Sequence, residues 1–407
     1  MEPVLRFKAD DGSDFPDWEE KTLGELCAPL TYGMNAAATR FDGENRYIRI
    51  TDIDDETHAY LSDDVVSPEG KLDDKYIVGN GDILLARTGA STGKSYLYHS
   101  KDGKLFYAGF LIKAHVLSSS DDYFVYSQTL TDKYWKWVKT TSMRSGQPGI
   151  NATEYASYSF AVPSLPEQHK IADLLSTVDR VIAAQQTEVD AWEQRKKGVI
   201  QKLFSQEVRF KADDGSEFPD WEERTSAELC NRMIGGGTPS TSNTDNYNGD
   251  ISWISSSDLD VDNITTVRRT RFITEEAIAT SATKKVKPGS IAVVLRVGVG
   301  KVALLDRETC TSQDFISLED VTGDAKFIAY MLSARMQREA VRTQGTSIKG
   351  IPATRFKELT YRMPSSIIEQ RKIADLLSIV DDVIVKAKAE LAKWQELKKG
   401  LLQQMFA

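Results

Sequence analysis

Two stretches of the chain repeat apolar residues at the alternating three- and four-residue spacing of a coiled coil. They cover residues 166–204 and a matching stretch near the C-terminus. Five heptads in each predict two long helices that pair with each other. The predicted seam residues are Ile171, Leu175, Val178, Ile182, Val189 and Trp192 in the first helix and Ile373, Leu377, Val380, Ile384, Leu391 and Trp394 in the second. At ~1.5 Å per residue, a helix of about 39 residues is roughly 58 Å long.

The chain is an internal duplication. Arg6–Glu20 (RFKADDGSDFPDWEE) and Arg209–Glu223 (RFKADDGSEFPDWEE) differ at one position, and KIADLLS occurs at both Lys170–Ser176 and Lys372–Ser378. The offset between matching residues stays at 202–203. Chance does not produce this agreement, so the chain holds two copies of one module.

Ahead of each long helix, the pattern changes to that of a mixed globular domain. Short β-branched runs predict strands at 47–50, 82–86, 251–254, 271–273 and 290–295. Helices are predicted late in each domain, at 122–139 and 325–342. We predict an α+β fold with two tandem heads separated by a two-helix coiled coil, which runs antiparallel if the copies are related by a pseudo-two-fold axis. The predicted divisions are 1–162 and 208–363 for the heads, and 163–207 and 364–407 for the helices.

The two heads keep a common skeleton but differ in most side chains. Gly81–Ala86 matches Gly289–Val294, and we match Arg87 with Arg296. Such divergence suggests two related modules that bind different things. The alternative is relaxed drift of a duplicated domain.

Composition limits the functional classes. The 407 residues are 41% hydrophobic and 27% charged, with a net charge of −9, which taken alone argues against nucleic-acid binding. A local face can nevertheless be basic. No apolar run approaches the ~18–20 residues of a membrane span, and no signal peptide is recognisable, so we expect a cytoplasmic protein. The isolated residues Cys27, Cys230 and Cys310 suggest small buried side chains.

Catalytic motifs are not apparent. Gly89–Ser95 (GASTGKS) resembles a phosphate-binding loop but has three residues between its glycines where a Walker loop has four. A Gly-rich hairpin with a lysine at its tip fits better, and it could contact a DNA phosphate. The four histidines lack metal-ligand spacing, and no cofactor loop is recognisable. We therefore expect no catalytic residues, no metal and no cofactor in this chain.

Basic residues recur at matching places in both heads, close to aromatic or small polar residues. A solvated charged face explains one such run, but the recurrence favours contact with double-stranded DNA. The predicted DNA-binding residues are Arg87, Lys94, Lys136, Lys139, Arg144 and Gln147 in the first head and Arg296, Lys301, Arg342, Gln344 and Lys349 in the second.

Several short motifs are spaced along the chain. They are Trp18-Glu19-Glu20 before Leu23–Leu26, Gly235–Ser240 (GGGTPS) before Asn248–Ile254 (NGDISWI) and Asp258-Leu259, Gln147–Asn151 (QPGIN), and Pro163–Gln168 (PSLPEQ) before Lys170-Ile171-Ala172. Together they resemble the specificity subunits of type I restriction–modification systems. The resemblance covers essentially the whole chain, and its strength lies in the order, spacing and repetition of motifs that are each only moderately specific.

This resemblance implies a function. Each head would be a target recognition domain for one half of a bipartite, asymmetric DNA site, and the helices would set the spacer. They would also dock two methyltransferase subunits, which use S-adenosylmethionine, and restriction subunits would join them. The chain itself would not be an enzyme. The alternatives are a coiled-coil scaffold with two protein-binding heads, and a self-contained DNA-modifying enzyme.

Overall fold

The computed structural model of the protein describes residues 3–143, 148–343 and 350–406. It divides into two compact units, residues 1–186 with 390–407 and residues 187–389. Each unit therefore contains one head and part of both long helices. Helix pairing places segments from both copies together in each unit. The four-part division expected from the sequence follows the two copies instead, and it stays a prediction.

Among its described residues, the first head contains eleven strands and four short α-helices. They are β1 (Glu19–Thr22), α1 (Leu23–Leu26), β2 (Thr31–Tyr32), β3 (Ala38–Arg40), β4 (Arg46–Ile48), β5 (Val66–Pro68), β6 (Ile77–Val78), β7 (Asp82–Ala86), β8 (Ser95–Leu97), β9 (Leu105–Tyr107), β10 (Leu111–His115), α2 (Asp122–Gln128), α3 (Asp132–Ser142), α4 (Ala152–Ala156) and β11 (Ser159–Val162). The long helix α5 (Leu165–Phe204) follows.

The second head repeats this plan. Its elements are β12 (Trp221–Thr225), β13 (Cys230–Gly235), β14 (Ile251–Ile254), β15 (Phe272–Ile273), α6 (Glu275–Ala279), β16 (Lys285–Val286), β17 (Ile291–Val294), β18 (Val302–Leu304), β19 (Thr309–Thr311), β20 (Phe315–Val321), α7 (Ala325–Thr343), α8 (Ala353–Glu358) and β21 (Thr360–Pro364). The second long helix is α9 (Ile367–Met405).

Corresponding sheets have the same strand order in both heads. The main antiparallel sheet is β2-β10-β7-β8 in the first head and β13-β20-β17-β18 in the second. The central strands β7 and β17 are fully buried. All of β17 is apolar, and β7 is apolar after Asp82, whose buried carboxylate accepts a hydrogen bond from the Gly79 amide at 2.8 Å. A smaller sheet pairs β4 with β9, and β14 with β19, in parallel. The mixed α+β class expected from the sequence is confirmed.

One predicted helix is broken. Residues 122–139 form α2 and α3, whereas the corresponding residues of the second head form the single helix α7. The break follows from side chains that compete for backbone groups. Thr131 accepts a hydrogen bond from the Tyr134 amide at 3.2 Å and so caps α3, while the Thr129 hydroxyl donates to the Tyr126 carbonyl at 2.6 Å.

A repeated polar cluster holds the start of each long helix against its head. The fully buried Glu167 carboxylate accepts hydrogen bonds from Arg6 at 2.9 Å and from the Trp18 indole at 3.2 Å. In the second copy Arg209 lies 2.9 Å from the buried Glu369, which also accepts from the Trp221 indole at 3.2 Å. Retention of this near-identical sequence segment therefore has a structural cause, because a buried carboxylate requires these donors.

Within each unit the long helices run antiparallel. In the first, the Lys398 ammonium lies 2.7 Å from Asp179. In the second, Lys196 lies 2.5 Å from Asp381, and Lys388 lies 2.8 Å from Glu193. Residue numbers rise along one helix as they fall along the other, which is the antiparallel arrangement.

The predicted seam residues occupy the inner side of these helices to different degrees. Ile182, Trp192 and Trp394 are partly exposed. The other nine are buried: Ile171, Leu175, Val178, Val189, Ile373, Leu377, Val380, Ile384 and Leu391. Of the helices that the described ranges contain, none has the length and apolar content needed to cross a membrane.

Candidate nucleic-acid interface

The end of strand β7 presents a cation among aromatic rings in the first head. The Arg87 guanidinium carbon lies 4.7 Å from the centre of the Tyr32 ring, and one Nη donates to the Gly109 carbonyl at 3.5 Å. Tyr32 is 43% exposed and the neighbouring Phe110 is 61% exposed. Arginine beside exposed aromatic rings is a common chemistry for contacting nucleic acid.

Helix α3 adds a second basic surface. Tyr134 and Val138 face the core, while Lys133, Lys136 and Lys139 are exposed and Trp135 is 38% exposed. The inward residues are four apart, so one face of the helix packs and the opposite face is left to the lysines. The two predicted DNA contacts on this helix, Lys136 and Lys139, are therefore accessible.

The predicted placement of Lys94 at an exposed hairpin tip is wrong. Strands β7 and β8 do form a hairpin, but the Lys94 side chain is buried, and its ammonium group donates to the Ile53 carbonyl at 2.8 Å and pairs with Asp55. Gly93, with φ of +95°, turns the chain inward against Val138. Lys301 of the second head likewise donates to the Ser256 carbonyl, at 2.9 Å. These two lysines thus stabilise their own heads.

In the second head, three arginines surround one buried carboxylate. Glu339 of α7 is 1% exposed and lies 3.3 Å from Arg335, 3.0 Å from Arg342 and 3.0 Å from Arg355. The carboxylate holds the three guanidinium groups together and leaves the cluster with a net positive charge. The predicted contact Arg342 belongs to this cluster and has a 67% exposed side chain.

The strand register corrects one correspondence between the heads. Arg87 donates its amide to Phe110 and accepts from Ile150, whereas it is Leu295 that donates to Asp314 and accepts from Ile351. Leu295, rather than Arg296, therefore occupies the place of Arg87. The exposed Arg296 lies one residue further along.

Four other predicted contacts, Arg144, Gln147, Gln344 and Lys349, lie outside the described residues. Two arginines of the basic run before α6 form ion pairs within the head. Arg269 pairs with Asp306, and Arg271 pairs with Asp258 and stacks on Trp253 at 4.6 Å. Fewer cations are therefore available to a ligand on this surface than the number of basic residues in the sequence suggests.

The sequence did not single out Tyr32, Phe110 or Glu339. An isolated aromatic residue in a short strand has no distinctive pattern, and a single acid in a basic helix reads as a solvated charge. The burial of Glu339 and its three ion pairs identify it as the centre of the arginine cluster. Within residues 3–143, 148–343 and 350–406, no three His, Cys, Asp or Glu side chains are arranged to hold a metal ion.

The chain has two heads of one fold. Each head is joined to antiparallel helices and exposes cations. This arrangement is that of a modular binding protein with two heads. The chain belongs to the family of type I restriction modification DNA specificity domains, whose model matches residues 16–191 and again residues 219–393. The family expected from the sequence motifs is confirmed.

Curated relatives agree with this assignment. The chain is 28% identical over 208 residues to the type I restriction enzyme MjaIX specificity subunit of Methanocaldococcus jannaschii, which covers 50% of this chain and 48% of that protein. It thus spans about half the length of this relative. It is 23% identical over 418 residues to the putative MjaX specificity subunit of the same organism, covering 97% of this chain and 94% of that one.

A solved structure supports the fold. The type I restriction–modification S subunit from M. genitalium aligns with a TM-score of 0.62 and 16% identity, over 100% of this chain and 99% of that one. The fold is thus shared along the whole length despite the low identity.

Proposed function

We propose that this protein is the DNA-specificity subunit of a type I restriction–modification complex, and that each head reads one half of a bipartite, asymmetric DNA target. The observation that carries this proposal is the repeated family match, once over each copy. A protein with two specificity domains has the parts needed to recognise two separate short sequences.

The surfaces of the heads support DNA as the ligand. Despite the net charge of −9, lysines line the exposed face of α3, and arginines gather around Glu339 in the second head. Local positive charge attracts phosphates irrespective of the total charge. The shared backbone and the different exposed side chains suit two heads that read different bases.

The long helices are proposed to set the distance between half-sites. They have 40 and 39 residues, so each is about 60 Å long at ~1.5 Å per residue. Seven more residues would add about 10 Å, or about three base-pair steps at ~3.4 Å. Inserting one heptad in both helices should therefore lengthen the unspecified spacer, and an unchanged spacer would contradict this role.

The chemistry is proposed to reside in partner subunits. The relatives are named as specificity subunits, and one structural neighbour represents the structural basis of complex assembly in the type I R-M system. We propose that this chain docks two methyltransferase subunits, which bind S-adenosylmethionine, and that restriction subunits join them in the cytoplasm. The chain itself is proposed to have no catalytic activity and no cofactor.

The test is to map methylated adenines in host DNA with and without this chain. We expect a bipartite motif that is methylated only when the chain is present. The purified chain alone, incubated with S-adenosylmethionine and mixed DNA, should transfer no methyl groups, whereas addition of the methyltransferase subunit should restore transfer. Robust transfer by the chain alone, or a methylation pattern indifferent to its deletion, would overturn the proposal.

A further inference from the structure

One position of the fold carries different chemistry in the two heads. The hydrogen-bond register places Arg87 of the first head where the second has Leu295, and Phe110 where the second has Asp314. In the same sheets, Ile112 pairs with Tyr32 and Ile316 pairs with Gly235. Because Leu111 and Phe315 both pair with the last residue of the central strand, Tyr32 and Gly235 are equivalent.

In the first head this position is filled. Arg87 stacks on Tyr32, and the Tyr32 hydroxyl accepts a hydrogen bond from the Ala152 amide at 3.1 Å. The hydrogen bond fixes the orientation of the Tyr32 ring, and the stacked ring in turn orients the Arg87 guanidinium. The Arg87 Nε is buried, but the side chain as a whole is partly exposed, so a ligand would meet the guanidinium through its Nη groups. A guanidinium oriented in this way is suited to an acceptor-rich ligand.

In the second head the same position is a pocket of about 310 Å³, whose lining includes Gly235, Leu295, Arg296, Gln313, Asp314 and Lys357. A Cβ built on Gly235 would meet no heavy atom within 4 Å, so the glycine leaves the space that Tyr32 fills in the first head. The neighbouring Gly236 has a different role, because its Cβ would lie 2.1 Å from the Ser312 carbonyl oxygen.

The polar groups of the pocket are arranged around one carboxylate. Asp314 is partly exposed, and one of its oxygens accepts a hydrogen bond from the Ser312 hydroxyl at 3.2 Å. Gln313 is engaged by Thr238. Arg296 and Lys357 are exposed at the rim and have no ion pair with another described residue. The pocket therefore offers an acceptor at its wall and cations at its edge.

We propose that this position determines base specificity in both heads, and that the two heads read opposite hydrogen-bonding patterns there. Arg87 would donate to the O6 and N7 acceptors of a guanine. Asp314 would accept from the exocyclic amino group of a cytosine, while Arg296 and Lys357 contact the flanking phosphates. This inference rests on the proposed function, and it adds the residues and the bases.

The chain offers matched variants for the test. Asp314→Asn removes the negative charge and replaces one acceptor oxygen by an NH2 donor, yet the remaining amide oxygen can still accept the hydrogen bond from Ser312. Asp320→Asn is the control: Asp320 lies near the other end of β20, about 20 Å away at ~3.3 Å per residue, and asparagine tolerates its φ of +52°. Gly235→Tyr fills the pocket as Tyr32 does in the first head, and Gly79→Tyr is its control because a Cβ there also meets open space.

The readout is the motif methylated by the complete complex in cells, followed by binding to duplexes that differ from it at one base pair. Arg87→Gln should weaken discrimination at one guanine of one half-site, and Asp314→Asn at one cytosine of the other. Each loss should be roughly 5- to 150-fold, the range for a good base contact. Gly235→Tyr should abolish discrimination at the position affected by Asp314→Asn, and both controls should leave the motif unchanged.

The outcomes separate this inference from the proposed function. An unchanged motif with Arg87→Gln and Asp314→Asn, in complexes that still methylate a bipartite target, would overturn the inference alone. Changes by both variants in the same half-site would also overturn it. If no methylated motif depends on the chain at all, the proposed function fails. Melting temperatures of the variant complexes identify any variant that loses discrimination through misfolding, and Arg87→Lys, which keeps the charge but not the fork, then serves as a second variant.

Discussion

The Lys196 ammonium lies 2.5 Å from the Asp381 carboxylate, and both side chains are less than 10% exposed. The Tyr330 hydroxyl donates to the same carboxylate at 2.6 Å, so the head as well as the partner helix contacts it. Lys196 lies seven residues after the seam residue Val189, at a heptad position where an apolar residue is expected. A buried pair of this kind is held by its partners, and removal of one partner leaves an uncompensated charge.

Lys196→Met should therefore lower the free energy of unfolding by about 3–5 kcal/mol. The matched control is Lys398→Met, because Lys398 pairs with Asp179 in the first unit but the two side chains are 20% and 31% exposed. Urea denaturation followed by circular dichroism measures both, and the control should lose less than half as much. Equal losses would show that burial does not set the strength of these pairs.

A second prediction concerns the chain termini. The Leu5 amide donates to the Gln404 carbonyl at 3.1 Å, as the Val208 amide donates to the Lys202 carbonyl at 3.3 Å where the chain is continuous. Direct fusion of Ala407 to Met1 would place six residues between Phe406 and Arg6, against four between Phe204 and Arg209. A permutant fused in this way and opened between Gln206 and Glu207 should fold with a similar circular dichroism spectrum and melting temperature.

The control for this permutant is the same fusion opened between Ala292 and Val293, inside the buried strand β17. That opening interrupts a central strand and should prevent folding of the second head. If the permutant opened at 206 were as unstable as this control, the contact at the termini would not be equivalent to the continuous connection.

The third prediction tests the basic face of α3. Replacing Lys136 and Lys139 together by alanine should reduce the slope of log affinity against log salt by about 1.8, since each phosphate contact contributes ~0.9. Fluorescence anisotropy with a labelled duplex and the methyltransferase complex measures the slope. Lys71 and Lys101, two exposed lysines of the same head, provide the charge-matched double variant. A slope that falls equally for both pairs would argue against a localised contact surface.

The fourth prediction concerns pH. Burial lowers the pKa of His58, with further lowering from Lys398 and Lys94, although a hydrogen bond to the Ser95 carbonyl at 2.8 Å opposes this. The folded state therefore binds a proton less readily than the unfolded chain, whose His pKa is about 6.5. The resulting stability is present above that pH and is lost as pH falls through the folded-state pKa.

His58→Asn should flatten this dependence, and asparagine tolerates the left-handed φ of +58° at this position. Urea denaturation at several pH values between 5 and 7.5 gives the comparison. The wild-type chain should lose more stability than the variant on acidification. Parallel curves for the two proteins would show that His58 does not contribute.

The sequence by itself determined the duplication, the long helices, the α+β class and the family. These features depend on periodicity and on repeated local motifs, which a single chain displays directly. The central strand 82–86 was predicted to the residue, because the apolar run that follows Asp82 is short and bounded by turn residues, which leaves few alternatives. The predicted helix at 122–139 failed because local threonine hydrogen bonds outweighed the apolar periodicity.

Only the tertiary structure decided which polar residues face inward. Lys94 and Arg87 both lie in or beside the same hairpin, yet one ammonium group is buried against a carbonyl and the other cation is stacked near the surface on Tyr32. Asp314 occupies in the second head the place that Phe110 has in the first. This equivalence likewise depends on the register between strands that are distant in the chain. Burial and register are set by long-range packing, which a local sequence pattern does not encode.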